Sequence, residues 1–297
     1  MEKNRRGDIV LLANEWKDYE LIDCSNGEKL ERWGNVVLLR PDPQIIWDDR
    51  NLEEEYKNIN AIYHRSNKGG GYWENIKNTP SSWQVNYKNL TFNIKQMGFK
   101  HTGLFPEQAV NWDFMIDKVK SSKREVKVLN LFAYTGGATI ACLSAGAAVT
   151  HVDSSRGMID WCKENVKSNG FENKSIRYLV DDVVKFVERE IRRGNKYDAI
   201  IMDPPSYGRG SHGEVWDIEK NLNYLVQKCM EILSDKPLFF LINSYTTGLS
   251  STVLENLLKL NFKNYNGEIS CGEVGIPIKE NNLILPCGIY GRWSSYE

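Results

Sequence analysis

No two cysteines in this 297-residue chain form a C-x-x-C pair. Cys24, Cys142, Cys162, Cys229, Cys271 and Cys287 are spread singly, which removes the usual basis for a zinc or dithiol redox site. The four histidines, His64, His101, His151 and His212, fall at no ligand spacing. No metal is therefore expected, and the cysteines read as free thiols in a reducing, cytoplasmic setting. Long apolar runs are lacking too. The opening M-E-K-N-R-R is basic but has no apolar run of signal-peptide length behind it. Residues 131–149 carry no charge, yet they are rich in Gly, Ala, Thr and Ser. A strand, a turn and a helix explain them better than a membrane span, so no membrane partner is expected. Internal repeats and low-complexity segments are absent as well.

What is present is an ordinary soluble composition, 41% hydrophobic and 26% charged, in a chain long enough for one large domain and a smaller one. The net charge of −1 hides an uneven spread. Residues 1–59 carry net −5, residues 60–127 net +6 and residues 128–297 net −2. A basic middle segment suits a phosphate-bearing partner, although a solvated lysine-rich face has the same composition.

The first hundred residues read as short strands and turns. Apolar runs at 19–24 and 36–39 are bounded by Ser25, Asn26 and Gly27 and by Pro41 and Pro43. Gly69, Gly70 and Gly71 form a turn before Tyr72 and Trp73, and 84–95 reads as a hairpin turning near Lys88 and Asn89. From residue 126 the pattern changes. Apolar strand candidates at 126–132, 148–153, 175–180, 197–203 and 238–243 alternate with helical segments. One helix follows Ser154 or Ser155 as cap, with Ile159, Cys162 and Val166 on one face, and ends at Ser168, Asn169 and Gly170. Another lies around 225–233. Such alternation indicates a parallel sheet covered on both faces. The segment 282–293 is strand-like with no helix after it, as an antiparallel last strand would be. The expected architecture is α/β: a Rossmann-like, seven-stranded catalytic domain over 101–297 after a smaller β-rich domain over 1–100.

In open α/β sheets ligands bind beyond the carboxyl ends of the strands. After the first strand comes A-Y-T-G-G-A at 133–138, where glycines admit close approach and a helix N-terminus offers N–H groups. Asp153 follows the second strand, where a carboxylate can accept from both ribose hydroxyls. Asp181 and Asp182 follow the third, where one can meet an adenine amino group. A single acid after a strand is often only a helix cap; three in register across one sheet are harder to dismiss. The turn lacks the three glycines of G-x-G-x-x-G that a dinucleotide pyrophosphate requires. S-adenosylmethionine has no phosphate. Its carboxylate suits the N–H groups near Thr135 and Gly136, and its sulfonium suits the rings of Phe132 and Tyr134. S-adenosylmethionine is therefore favoured over NAD.

The fourth strand ends in D-P-P-S-Y at 203–207. Two prolines hold the backbone extended and remove N–H donors, so the Asp203 carboxylate and the carbonyls face outward as acceptors. Tyr207 offers a stacking face for a base. The plainer reading is a rigid turn that ends the strand.

N-L-F-A-Y-T-G-G at 130–137, Asp153, the pair Asp181 and Asp182, and D-P-P-S-Y at 203–207 resemble the motifs of class I methyltransferases. More closely, the chain resembles the bacterial large-subunit ribosomal RNA methyltransferase I-like family, whose members make 5-methylcytosine or 7-methylguanine. The likeness takes in F-K-H-T-G-L-F-P-E-Q at 99–108 and P-C-G-I-Y-G-R-W at 286–293. The segments 18–23 and 39–44 are similar to a shorter branch with a small β-rich N-terminal part and no PUA module. The resemblance implies that Phe105, Gln108, Phe132, Tyr134, Thr135, Gly136, Asp153, Ser154 and Asp182 lie near the cofactor. It also implies that Asp203 borders the cofactor and, with Tyr207, serves the acceptor.

One departure bears on the reaction. Cytosine-C5 methylation of RNA needs a cysteine nucleophile. Relatives that do this carry it after the fifth strand, where this chain reads N-S-Y-T-T at 243–247. Cys229 falls on a helix face and Cys287 in the terminal strand. A nitrogen acceptor needs no covalent intermediate, so N-methylation of an RNA base, in ribosomal RNA first, is the expected activity. Tyr63, Tyr72, Trp73, Trp83 and Tyr87, interleaved with lysines, read as a single-strand platform, with Lys118, Lys120, Lys123 and Arg124 as phosphate contacts. A protein or small-molecule acceptor, a nucleotide-dependent oxidoreductase and a non-catalytic RNA-binding protein are the other readings.

Overall fold

The computed structural model describes residues 9–50, 52–66, 70–210, 213–279, 281 and 283–296. His212, Gly69 and residue 282, all used above, lie outside the described residues. The chain forms two compact units. Leu12–Ala109 and Gly275–Pro286 make the smaller; Val110–Val274, with flanking pieces up to Leu11 and from Cys287, makes the larger.

β1 is Ile9–Leu12. The smaller unit then holds β2 (Tyr19–Ser25), β3 (Glu28–Trp33), β4 (Val36–Pro41), the single-turn α1 (Glu53–Tyr56), β5 (Ala61–Arg65) and β6 (Gly71–Asn75). These five strands form one sheet in chain order, with β4 and β5 parallel and the other pairs antiparallel. β7 (Ser82–Tyr87) and β8 (Leu90–Lys95) pair as the expected hairpin, and Lys88 takes the left-handed conformation its turn requires. Leu30, Trp33, Leu38, Val85, Phe92 and Ile94 are buried in this unit. Among them lies an ion pair. Arg40 donates to both oxygens of Glu31, Nε at 2.6 Å and Nη2 at 2.8 Å, and Tyr19 Oη donates to Glu31 at 2.8 Å. Burial pushes the Glu31 carboxyl up, but Arg40 and Lys29 outweigh it and hold it down at about 2.

Of the five rings of the expected aromatic platform, two are core and two are half-buried. Tyr63 and Tyr87 are buried, Trp73 donates its indole N–H to Met97 O and Trp83 to Trp33 O. Alternate positions of a strand face inward whatever charges lie between them. Tyr72, 63% exposed and stacked on His64, is the member that presents its ring to solvent.

The larger unit starts with α2 (Ala109–Ser121). Then come β9 (Lys127–Leu131), α3 (Gly137–Ser144), β10 (Ala148–Asp153), α4 (Arg156–Ser168), β11 (Ile176–Val180), α5 (Val183–Arg193) and β12 (Ala199–Met202). A short hairpin, β13 (Tyr207–Arg209) and β14 (Val215–Asp217), leads into α6 (Ile218–Met230). β15 (Phe239–Ser244), α7 (Ser251–Asn261), β16 (Gly267–Pro277) and β17 (Ile284–Ser295) complete the chain. The sheet order is β1-β16-β17-β15-β12-β9-β10-β11. It is the expected seven-stranded arrangement with one further edge strand, β1. β10–β11, β9–β10, β9–β12 and β12–β15 are parallel, and β17 returns antiparallel to β15. β12 is A-I-I-M and β15 F-F-L-I-N-S, buried throughout because helices cover both faces. The uncharged stretch 131–149 resolves into the end of β9, a turn, α3 and the start of β10. Among the described residues no helix is long and apolar enough to cross a membrane.

Candidate active site

The parallel strands end at one level, and the loops leaving them hold the residues singled out above. β9 gives way at Phe132, and Phe132 and Tyr134 both take positive φ, 54° and 51°. Gly136 follows at φ 89° as the N-cap of α3. This turn is held from several sides. Ala133 N donates to Val152 O at 3.0 Å, Gly136 N to Ala133 O at 3.0 Å, and Asn165 Nδ2 to Thr135 O at 2.8 Å. Asp153, at the end of β10, accepts from Tyr134 N on one carboxylate oxygen and from Ser155 N on the other, each at 2.8 Å. Burial raises the Asp153 pKa and these two N–H groups oppose the rise.

A buried polar cluster backs the turn. Thr139 Oγ1 accepts from Asn130 Nδ2 at 2.9 Å and lies 2.8 Å from His151 Nδ1, with Cys162 Sγ 3.6 Å from the same nitrogen. Burial drives the His151 pKa down to about 3, so the ring is neutral. A Cβ on Gly136 would stand 2.4 Å from Cys162 Sγ, and one on Gly137 would stand 2.9 Å from the Trp112 ring. Both glycines are thus required by close packing behind the turn. In front, the first turn of α3 presents N–H groups with no partner inside the helix. Such a cradle can hold a carboxylate; Phe132 and Tyr134 stand in the turn that leads into it.

The remaining predicted residues fall as follows. Ser154 is exposed beside Asp153. Ser155, not Ser154, stands at the N-cap of α4, and its hydroxyl makes no cap bond. Asp182 caps α5, accepting from Lys185 N at 2.9 Å, while Asp181 is paired with Arg189. Asp203 directly follows β12 and is half-buried. Tyr207 is 55% exposed. The expectation that the loop carbonyls face outward is corrected for two of them. Pro205 O accepts from Trp216 Nε1 at 2.7 Å, and Ser206 O accepts from Ile218 N at 3.1 Å. The β13–β14 hairpin ties them back. Phe105 and Gln108 belong to the smaller unit, on either side of Pro106 in a 3-10 turn where Gln108 N donates to Phe105 O at 3.1 Å.

Two contributors escaped sequence reading. Trp216 lies with its ring centroid 4.9 Å from that of Phe132, so one side chain touches both the glycine turn and the Asp203 loop. Asn111 donates to Asn243 Oδ1 at 2.9 Å and accepts from Arg292 Nε at 2.9 Å, bracing the end of β15. A lone Trp or Asn in a sequence carries no sign of such a partner. Lys118, Lys120, Lys123 and Arg124 lie at the opposite end of the sheet, where β9 begins. Arg124 there pairs with Asp198 at 2.8 Å. All six cysteines are free thiols, and burial pushes the thiol pKa up in Cys24, Cys142, Cys162, Cys229 and Cys271. Among the described residues no three His, Cys, Asp or Glu side chains gather as a metal site.

The profile of the S-adenosylmethionine-dependent methyltransferase family matches residues 61–251. A crystal structure of an S-adenosylmethionine-dependent methyltransferase from Agrobacterium tumefaciens is 35% identical. It superposes with a TM-score of 0.92, covering 96% of this chain and 93% of that one. Ribosomal RNA large subunit methyltransferase K/L of Syntrophotalea carbinolica is 28% identical over 63% of this chain. Ribosomal RNA large subunit methyltransferase K of Neisseria meningitidis serogroup B is 25% identical over 77%. The chain spans 26% of the first of these curated relatives and 65% of the second. With a glycine cradle that suits a carboxylate and a profile match over most of its length, this chain belongs to the S-adenosylmethionine-dependent methyltransferase family.

Proposed function

We propose that this methyltransferase modifies a nitrogen of an RNA base, with ribosomal RNA the first substrate to test. The family assignment removes the nicotinamide alternative. The observation that carries the nitrogen reading is the loop after β15. β15 ends in N-S, the loop beyond it reads Y-T-T-G-L and bears no thiol, and Cys229 is fully buried in α6. A covalent adduct at a pyrimidine ring has no nucleophile there. The curated relatives are ribosomal RNA methyltransferases, which supports RNA as the acceptor.

S-adenosylmethionine supplies an electrophilic methyl group on a sulfonium. In this reading the α3 N-terminus at Gly136 and Gly137 receives its carboxylate, Phe132 and Tyr134 border the cation, and Ser154 borders the ribose side. Asp153 and Asp182 receive the ribose and the adenine while keeping their backbone bonds, since a carboxylate oxygen accepts more than one donor. Asp203 accepts an N–H of the acceptor and aims the nitrogen lone pair along the bond to be broken; Tyr207 stacks on the ring. Where the attacked nitrogen carries a proton, that proton leaves to Asp203 or to water after the methyl has moved; N7 of guanine has none to lose. Catalysis here is mainly alignment of two reactants. The reading uses residues of the larger unit alone. For the smaller unit we propose an RNA-binding role, supported by the exposed Tyr72–His64 stack.

The test supplies methyl-labelled S-adenosylmethionine with RNA and protein fractions from a strain lacking the gene, followed by nucleoside mass spectrometry. An N-methylated nucleoside is the expected product. 5-Methylcytosine would overturn the nitrogen assignment, and label confined to protein would overturn the RNA assignment.

A further inference from the structure

The register of the sheet carries two loop hydroxyls to one place. β12 and β15 are parallel neighbours with Met202 opposite Ile242. Ser206 lies four residues beyond Met202, and Thr246 four beyond Ile242. Ser206 Oγ and Thr246 Oγ1 accordingly meet at 2.7 Å on the exposed surface, and either oxygen can donate. Neither loop depends on that bond for its course. Pro205 O and Ser206 O are held by Trp216 and Ile218, and Thr246 N donates to Ser244 Oγ at 3.2 Å. Water competes for both hydroxyls at an exposed site, so their mutual bond adds little stability.

We infer that the Ser206–Thr246 pair reads the edge of the acceptor base. The inference rests on the RNA-base reading above. Two hydroxyls bring two O–H donors and four lone pairs; their mutual bond uses one of each kind. One O–H and three lone pairs then face the solvent. Reversing the bond moves the outward O–H from one residue to the other. Such a pair meets an edge that sets a donor beside an acceptor, as the amide and amidine edges of nucleobases do. A simple alkyl amine has no such edge, because its polar atom is the one under attack. The pair sits just past Asp203 and next to Tyr207 in sequence. Asp203 therefore addresses the reacting nitrogen, the Tyr207 ring the face, and the two hydroxyls a neighbouring edge.

The experiment compares Ser206→Ala, Thr246→Val, the double variant and Thr246→Ser with wild type. The acceptor is RNA from a strain lacking the gene; acceptor KM, kcat, cofactor Kd and Tm are measured. Each single loss of a hydroxyl raises acceptor KM about tenfold, the worth of one hydrogen bond made on binding. Cofactor Kd and Tm stay at the wild-type values. The double variant falls short of the product of the two, because the partners act as a unit. Thr246→Ser restores KM. Unchanged acceptor KM would overturn the inference, and so would a loss of cofactor affinity or Tm large enough to explain the defect. If the wild type itself labels no RNA, the RNA reading falls and takes this inference with it. If it labels RNA and the variants match it, this inference alone falls.

Discussion

The indole N–H of Trp216 donates to the carbonyl of Pro205 at 2.7 Å. Trp216 is 9% exposed, and its ring also packs on Phe132. A hairpin with strands of three residues each therefore fixes the loop that carries Asp203 against the glycine turn that leads into α3. Replacing Trp216 by Phe removes the hydrogen bond and keeps a ring; about 1 kcal/mol of loop stabilisation is lost. Trp216→Ala removes both and leaves a cavity, at roughly 3–5 kcal/mol by analogy with other buried aromatics. The expected order of kcat is wild type, then Trp216→Phe, then Trp216→Ala, with cofactor Kd rising only in the last. Equal kcat for the two variants would show that packing on Phe132 is immaterial.

Asp203 tests the division of labour between the two halves of the site. The cradle at 132–136 is built without it, so Asp203→Ala should bind S-adenosylmethionine within a fewfold of wild type. Alignment of the acceptor is lost, and kcat should fall by a factor on the order of 100 or more. Asp203→Asn keeps the shape and one acceptor oxygen but loses the charge and the second acceptor, and should be slowed less than Asp203→Ala. Calorimetric titration with the cofactor and single-turnover methyl transfer separate the two effects. Wild-type turnover in Asp203→Ala would remove Asp203 from the reaction.

β12 and β15 were legible as apolar runs buried on both faces, and β9, β10 and β11 as mainly apolar runs bounded by polar turns. Asp153, Asp182 and Asp203 stood out for the same reason, as acids at the ends of those runs. Their second duties were not legible. The bond from Tyr134 N to Asp153 joins residues 19 apart in sequence, and only the register of β9 on β10 brings them together. The β13–β14 hairpin is too short to show alternation, and β16 mixes Glu268, Cys271, Gly272 and Glu273 into a strand that a pattern search passes over. Tyr63 and Tyr87 were misread because lysines nearby in sequence suggested a surface, whereas their strand positions point inward. The Glu31–Arg40 pair was invisible, since nothing in the sequence distinguishes a buried charge from an exposed one.

His151 gives a pH dependence of stability with a definite sign. Burial holds its pKa at about 3 in the folded chain, against 6.5 for a free histidine. Below pH 6.5 the unfolded chain binds a proton that the folded chain refuses, so stability falls as the pH drops from about 6.5 toward 3. The slope from this one residue approaches about 1.4 kcal/mol per pH unit within that window. His101, depressed to about 4 by burial with Arg40 and Lys100 nearby, adds a share in the smaller unit. His151→Asn is less stable at pH 7 but should lose less on acidification. Urea midpoints at pH 7 and pH 5 give the comparison. An identical loss in wild type and variant would mean that His151 is protonated in the fold.

Gly136 is where backbone conformation and packing coincide, and the two can be separated. Its φ of 89° is strained for any L side chain, and a Cβ would overlap Cys162 Sγ at 2.4 Å. Gly136→Ala therefore costs about 1–2 kcal/mol for the dihedral and roughly 1–3 kcal/mol for overpacking. The turn can relieve both only by moving the N–H groups at the start of α3. Cofactor Kd should accordingly rise along with the loss of Tm. Cys162→Ala removes the sulfur and leaves the Cys162 Cβ, 3.2 Å from the added methyl. In the double variant Gly136→Ala/Cys162→Ala the overpacking is relieved while the dihedral strain stays. Stability and cofactor affinity should recover in part and not fully, giving a favourable coupling of about 1 kcal/mol or more between the two sites. Simple additivity would place the whole penalty in the backbone, and the sulfur would then have no part in shaping the turn.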